Sequence, residues 1–559
     1  MKEPWKWVHE KKYFKPFEYD DKTVVDYLER SVKKYPDNVA LIFMGKKITY
    51  REMWEMVLRL AAALADYGVK KGDRVAISFP NIPQSAVSFF AVAKTGAIMV
   101  QINPLYVERE IRYILEDSGA RTYIALDLLR NRIRAAAEGT AVERFIYGGI
   151  IDYLPALKKP FYKMRAKKSG MWSEFTCDEN EYRFTTLLDE HAPRPTRSAV
   201  DKDDLIAIQY TSATTGLPKG VMLTHQNLAF NVRQTESIFV NSVHGQERFI
   251  GLMPFFHAYG MTLALCMAVY MGDAVILVPR FDADMLIEAI SKYKANYFPG
   301  VPTMYVALLN HPKVGKMRID TLKGCFSGAA PMPMDVIQKF EALTGGKIVE
   351  GYGLTEASPV THANTIGGPR KPGSVGVPKL YTTARIMDIE TGTREVPIGE
   401  IGEICVKGPQ VMKGYWNNPE ATREVLRNGW LYTGDIGKMD EEGFFYVVDR
   451  KKDMIIAGGY NIYPREIDEV LYTHPKVKNA CAVGIPDPYR GETVKAFVQL
   501  KEGETATEQE IIKYCKDNMA AYKVPKIVEF RDELPVTAVG KVLRKKLREE
   551  EQPEEKMGH

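Results

Sequence analysis

Through residues 1–350, apolar runs of strand length alternate with amphipathic segments of helix length. One unit reads RVAISFP at 74–80, QSAVSFFAVAKTG at 84–96 and AIMVQINP at 97–104. Alternation of this kind predicts α/β layers built on largely parallel sheets. From 373 to 448 the pattern changes to short strands between Gly, Pro and Asp turns: ARIMD at 384–388, GEICVKG at 402–408 and GFFYVVD at 443–449. That predicts a small β-rich unit. A charged run, Asp449-Arg450-Lys451-Lys452-Asp453, separates it from a last segment with a βαβ-like pattern of its own. The fold class is therefore α/β: a large N-terminal domain of two α/β layered subdomains plus a small β-rich subdomain, then a small α+β C-terminal domain. The boundaries are 1–449, 450–453 as the connector and 454–559.

The longest apolar stretch, 257–279, is interrupted by Gly272-Asp273. It predicts a buried helix, a turn and a β-branched strand at 274–278 rather than a membrane span. The polar N-terminus has no apolar core of a secretory signal. The acidic tail EEEQPEEKMGH reads as disordered.

A chain of 559 residues exceeds a single core, and 45% hydrophobic with 26% charged residues is ordinary globular usage. A net charge of +5, with both signs mixed along the chain, offers no footprint for nucleic acid. Cys177, Cys266, Cys325, Cys405, Cys481 and Cys515 lie far apart, without a CxxC pair and mostly in apolar runs. They fit free thiols in a reducing cytoplasm. Six basic residues surround Phe161, Tyr162 and Met164 in KKPFYKMRAKK at 158–168. The segment reads as a solvated surface excursion or as peripheral contact with the inner membrane face. The sequence leaves oligomeric state open, a homodimer included.

The most informative segment is YTSATTGLPKG at 210–220, between strand-like runs LIAIQ and VML. Hydroxyls and unencumbered backbone N–H groups between two strands make an anion-binding concavity, to which Lys219 adds positive charge. It is not a Walker A loop, because Lys219 is followed by Gly220 and a strand. Further motifs follow in order: SGAAP at 327–331, EGYGLTEAS at 350–358, LYTGD at 431–435, Asp449-Arg450, GGYN at 458–461 and PVTAVGKVLR at 535–544.

This ordered set resembles the adenylate-forming superfamily of acyl-CoA synthetases, luciferases and peptide-synthetase adenylation domains, over roughly residues 30–548. The resemblance implies an AMP-binding domain at 1–449, a hinge at 450–453 centred on Lys452, and a C-terminal domain at 454–559 that moves between the two half-reactions. It implies that Thr211, Ser212, Thr214, Thr215, Gly216 and Lys219 hold the β- and γ-phosphates of ATP, with Ala213 where the family usually has Gly. Adenine would lie between the backbone of Gly328, Ala329 and Ala330 and the Gly351-Tyr352 segment. Thr355 would bond the α-phosphate, Glu356 would ligate Mg²⁺, and Asp435 would accept from both ribose hydroxyls beside Arg450. Lys541 would be the adenylation lysine, and Gly458, Gly459 and Tyr460 would line the passage for coenzyme A. Lys541, Arg544, Lys545 and Lys546 otherwise read as solvated charges of a basic C-terminus.

The acid pocket would be walled by PFFHAYG at 254–260, the helix after it and FPGVP at 298–302. Phe256, Tyr259, Gly260, Gly300 and Val301 are its candidate residues, and His257 stands beside the carboxylate. Phe256 and His257 occupy the place where an amino-acid-activating domain carries an Asp, which disfavours an amino-acid substrate. The texture is most like medium- to long-chain fatty acid:CoA ligases, and implies a fatty acid, ATP and CoA as ligands. An aryl-acid:CoA ligase, an enzyme loading a carrier protein, and a non-catalytic nucleotide binder are the alternatives. Lys541, Glu356 and Thr355 argue against the last.

Overall fold

A computed structural model describes residues 3–11, 14, 16–18, 21–170, 172, 174–195, 200–211, 218–328, 332–457, 460–537 and 542–551. The chain divides into two compact units, residues 1–383 with 407–431, and residues 384–406 with 432–559.

The first unit holds two large mixed sheets. One runs, edge to edge, Val377–Pro378, Val360–Ala363, Lys347–Gly353, Gly324–Ser327, Tyr297–Gly300, Arg248–Gly251, Ala274–Leu277, Val39–Phe43 and Lys46–Thr49. The other runs Gly414–Tyr415, Lys219–Thr224, Leu205–Thr211, Ile98–Gln101, Arg74–Ser78, Thr122–Leu126, Arg144–Gly148 and Glu181–Arg183. Interior neighbours such as Arg74–Ser78 and Ile98–Gln101 pair in parallel, as the alternating pattern predicts. They read as continuous apolar runs because both sheet faces are covered. The helix Pro83–Thr95 is not the amphipathic segment expected: it is buried at all its positions except Lys94, because it is covered on all sides. Just before it, Asn81 Nδ2 donates to the carbonyls of Gly251 and Met253, both at 2.8 Å. One side chain thus ties the carboxyl end of a strand in the second sheet to that of a strand in the first.

The apolar stretch at 257–279 forms a buried helix, a turn and the strand Ala274–Leu277, as expected. An unexpected detail is the π-helical turn Met261–Cys266. No described helix is long and apolar enough to cross a membrane. Five of the six cysteines are buried and Cys177 is partly so, all as free thiols.

In the second unit, Thr383–Met387, Gly402–Lys407, Trp430–Met439 and Phe445–Arg450 are strands of one small sheet. A further sheet contains Tyr460–Ile462, Ile455–Ala457, Gly491–Leu500, Val477–Asp487 and Ile527–Phe530. The helices Pro464–Thr473, Glu508–Asn518 and Arg544–Glu549 complete this α+β portion. Its core includes Ile467, Leu471, Ala496, Val498, Ile511 and Val528.

Candidate active site

The hydroxyl-rich segment springs from an antiparallel hairpin, Leu205–Thr211 with Lys219–Thr224, in which Thr211 pairs with Lys219. A side chain at Gly220 would bring Cβ to 2.7 Å from Ile208 Cγ2, so this close crossing requires glycine. Residues 212–217, which include Ser212, Ala213, Thr214, Thr215 and Gly216, lie outside the described residues.

The strand Gly414–Tyr415 pairs beside this hairpin, with Tyr415 opposite Val221. Trp416 locks it there: its N–H donates to the Gly220 carbonyl at 2.7 Å and its indole to the Asp117 carbonyl at 3.0 Å. The pairing sets Lys219 Nζ 5.1 Å from the centre of the Tyr415 ring. The Tyr415 hydroxyl donates to Glu356 Oε1 at 2.8 Å. Two residues that the resemblance assigns to phosphate and metal are thus joined through one aromatic ring.

The turn carrying Thr355 and Glu356 is fastened from several sides. Asn231 acts as a surrogate strand partner, donating to the Val360 carbonyl at 2.7 Å and accepting its N–H at 3.0 Å. Thr262, on the π-helical turn, donates to the Ser358 carbonyl at 2.7 Å. Asn227 donates to the carbonyls of Pro409 and Val411, which fixes the chain from which Met412 N–H reaches the Glu356 carbonyl at 2.8 Å. Sequence reading missed Tyr415, Asn227 and Asn231. The capping pattern that begins at Thr224 explains why Asn227 accepts the Thr224 N–H, but it does not reveal the second role.

The strand Lys347–Gly353 brings Gly351 and half-buried Tyr352 to the same edge. A Cβ on Gly351 would lie 2.1 Å from Phe326 Cζ, so the ring of the neighbouring strand requires glycine there. The Tyr352 ring lies 5.7 Å from that of buried His362. Gly328 N–H donates to the Gly300 carbonyl at 3.4 Å. Ala329 and Ala330 lie outside the described residues.

At the expected acid pocket, the Tyr259 hydroxyl sits between the carbonyls of Phe326 at 2.6 Å and Gly300 at 2.9 Å. It joins the helix start to the ends of two adjacent strands. Gly260 packs so closely that a Cβ would lie 2.2 Å from the Met253 carbonyl oxygen. Val301 is buried as the residue capping the next helix, and half-buried Phe256 accepts a hydrogen bond from Gln209 at its carbonyl. His257 Nδ1 accepts the Tyr259 N–H at 3.2 Å, and burial pushes the ring's pKa down to about 4. With Nδ1 an acceptor and the ring neutral, the proton sits on Nε2.

In the second unit, register places Asp435 opposite Arg450, and Arg450 Nε meets Asp435 Oδ1 at 2.8 Å. Asp435 is 4% exposed. The loop before it is held by Glu403, which accepts the Gly434 N–H at 3.0 Å and pairs with Lys451 at 2.9 Å. Lys452 lies in the following turn, its carbonyl accepting from Arg548 at 3.1 Å. Arg544 is not the solvated charge expected of a basic C-terminus. It bonds Asp468, donates to the Ala482 carbonyl at 2.9 Å, and lies 3.6 Å from Asp449 and 3.7 Å from Asp453. These carboxylates hold its guanidinium above the usual arginine range, whereas burial raises Asp468 to about 6. Tyr460 begins a strand, whereas Gly458, Gly459, Lys541 and the acidic tail from 552 lie outside the described residues.

The AMP-binding enzyme family model matches residues 28–416, and the AMP-binding enzyme C-terminal domain matches 466–541. A long-chain-fatty-acid CoA ligase of Bacillus subtilis (strain 168) is 48% identical over 533 residues, covering 95% of each chain. A long-chain-fatty-acid CoA ligase of Escherichia coli O6:H1 is 38% identical, covering 94% of each. Among solved structures, ATP-bound MatB from Rhodopseudomonas palustris superposes with a TM-score of 0.83 at 31% identity, covering 94% of this chain and 98% of that one. The anthranilate CoA ligase AuaEII in complex with anthranoyl-AMP gives 0.84 at 27% identity, covering 96% and 98%. With more than half of its length under the first family match and a relative 48% identical over 95% of both chains, the chain belongs to the AMP-binding, adenylate-forming enzyme family.

Proposed function

We propose that this chain is an ATP-dependent, AMP-forming ligase that activates a medium- or long-chain fatty acid and transfers it to coenzyme A. The observation that carries the substrate class is the 48% identity, over 95% of both chains, to a long-chain-fatty-acid CoA ligase. The pocket chemistry agrees. The segment 254–260 carries no carboxylate for an α-ammonium group, and the helix behind it is buried throughout from Ala258 to Met271. Cytoplasmic ATP and CoA set the reaction in the cytoplasm, with the lipid-soluble acid met at the inner membrane face.

In the first half-reaction an oxygen of the fatty acid carboxylate attacks the α-phosphorus of ATP, and pyrophosphate leaves. Charge accumulates on phosphate oxygens, so placed donors and cations carry most of the catalysis. Thr211 and Lys219 serve the leaving phosphates, Thr355 the α-phosphate, and Lys541 the reacting oxygens. His257, neutral with its proton on Nε2, donates to a carboxylate oxygen and orients it. It adds no charge that would weaken the nucleophile. Asp435 accepts from the ribose hydroxyls, and Arg450 holds its carboxylate in place. In the second half-reaction the CoA thiolate attacks the acyl carbonyl and AMP leaves, with no covalent intermediate on the protein.

Glu356 fits a Mg²⁺ ligand: one oxygen accepts from Tyr415, and carboxylate is the hard donor this ion takes. No three His, Cys, Asp or Glu side chains converge among the described residues, so Glu356 and ATP oxygens would share the ion. Bound there, Mg²⁺ would neutralise phosphate charge.

Pyrophosphate release and acyl-CoA formation, measured over octanoate, palmitate, benzoate and anthranilate with and without CoA, test this reading. Palmitate or octanoate should be preferred, with AMP as product and acyl-CoA formed only when CoA is present. Preference for the aryl acids, or formation of ADP, would overturn it.

A further inference from the structure

The basic segment at 158–168 begins at the end of a single turn, Ala156–Lys158, and continues as the helix Lys159–Lys168. Its inner side is anchored. Ala166 is buried, Tyr162 is half-buried, and Lys158 Nζ donates to the Met44 carbonyl at 2.8 Å. Its outer side is not what a solvated helix carries. Leu157 is 87% exposed, Phe161 70% and Met164 67%.

Counted at about 100° per residue, these three side chains fall within about 60° of one another, and Ala166 and Tyr162 lie on the opposite side. The apolar stripe therefore points away from the body of its own unit. Arg165 flanks it on one side and Lys163 and Lys167 on the other, while Lys168 lies in line with the stripe at its C-terminal end. Lys163 and Lys167 share the carboxylate of Glu174, at 3.1 and 3.5 Å. Arg165 and Lys168 meet no carboxylate among the described residues.

The geometry points to an anionic bilayer surface as the occupant of this face, with Leu157, Phe161 and Met164 entering the headgroup boundary and the flanking cations meeting lipid phosphates. Apolar side chains ringed by cations match the two layers of such a surface: acyl chains below, negative headgroups above. The long stems of Lys and Arg let their charges stay at headgroup level while the stripe inserts. A helix of this length with three inserted residues gives reversible attachment. That suits an enzyme that must take an acid from the lipid phase and release a water-soluble thioester.

The test is co-sedimentation of the full chain with vesicles of phosphatidylcholine alone and of phosphatidylcholine mixed with phosphatidylglycerol. It is read without ATP or CoA, so its outcome is independent of the ligase activity. The chain should bind the mixed vesicles, bind neutral ones much less, and release as salt rises. Leu157→Ser/Phe161→Ser/Met164→Ser and, separately, Arg165→Gln/Lys168→Gln should each lower partition by about tenfold or more. Both variants should keep the parent's melting temperature and its rate with water-soluble hexanoate. Equal binding to neutral vesicles, or parental partition by the triple variant, would overturn the proposal. So would a dimer in sedimentation velocity that the triple substitution abolishes while no vesicle binding is seen, because the stripe would then belong to a second copy.

Discussion

Removing the hydroxyl of Tyr415 isolates a contact that the motifs do not reveal. Tyr415→Phe keeps the ring beside Lys219, 5.1 Å from its Nζ, and deletes only the donor that meets Glu356 Oε1 at 2.8 Å. A hydrogen bond to a charged acceptor is worth ~1.5–3 kcal/mol net. Tyr415 is 7% exposed but Glu356 is half-buried, so water can replace part of what is lost. That places the cost at the low end, ~1.5 kcal/mol, or about tenfold in kcat/KM for ATP. Steady-state pyrophosphate release at saturating fatty acid, with ATP and Mg²⁺ varied separately, measures it. The Mg²⁺ concentration for half-maximal rate should rise along with KM for ATP, while KM for the acid stays put. Tyr415→Leu should cost a further ~0.5–1 kcal/mol, because the cation at Lys219 also loses its ring. An unchanged Mg²⁺ dependence in Tyr415→Phe would refute the idea that this hydroxyl orients the carboxylate.

Asp435→Ala should weaken ATP binding by ~1.5–3 kcal/mol and leave acid affinity alone, since it removes the proposed ribose acceptor; calorimetric titration with ATP checks this. Buried His225 and His362, their pKa values pushed down to about 4 and about 3, stay neutral in the fold while unfolded histidines protonate near 6.5. The unfolded state then binds more protons, so each costs ~2 kcal/mol of stability at pH 5 relative to pH 7, and replacing both with Gln should remove that part of the urea-midpoint shift between the two pH values. Arg544→Met should lower the stability of the second unit by ~3–5 kcal/mol, seen as an earlier urea transition, by leaving Asp468 without its buried partner. Lys541→Ala should stop pyrophosphate release yet leave supplied acyl-adenylate convertible to acyl-CoA, whereas Lys452→Pro, by locking φ at the expected hinge, should slow the second step; equal loss of both steps in Lys541→Ala would end the idea of two arrangements.

The order of layers was legible because buried parallel strands and the helices between them leave distinct periods in the chain. ARIMD, GEICVKG and GFFYVVD appear as strands, and the stretch at 257–279 as helix, turn and strand. The π-helical turn Met261–Cys266 was not legible, since an extra residue in a helical turn leaves the apolar pattern of a fully buried helix unchanged. Arg544 was misread for a related reason. Composition counts a charge but not its partners, and Asp449 and Asp453 from one segment and Asp468 from the following helix reach it across the fold.

The site shows the same division between local and distant causes. Motif glycines invite one reading, that backbone must approach a ligand. In the fold Gly351 makes room for the Phe326 ring, Gly260 for the Met253 carbonyl, and Gly220 for Ile208, all of them protein neighbours. A glycine in such a motif therefore supports a binding site chiefly by letting the strands that carry its polar residues pack closely. Tyr415 shows the converse. It lies 59 residues beyond Glu356, and only the pairing of Gly414–Tyr415 with Lys219–Thr224 brings its hydroxyl to that carboxylate. The chemistry of each motif can be inferred from its own residues, but the orientation of Glu356 depends on a sheet edge supplied by a segment with no chemical signature of its own.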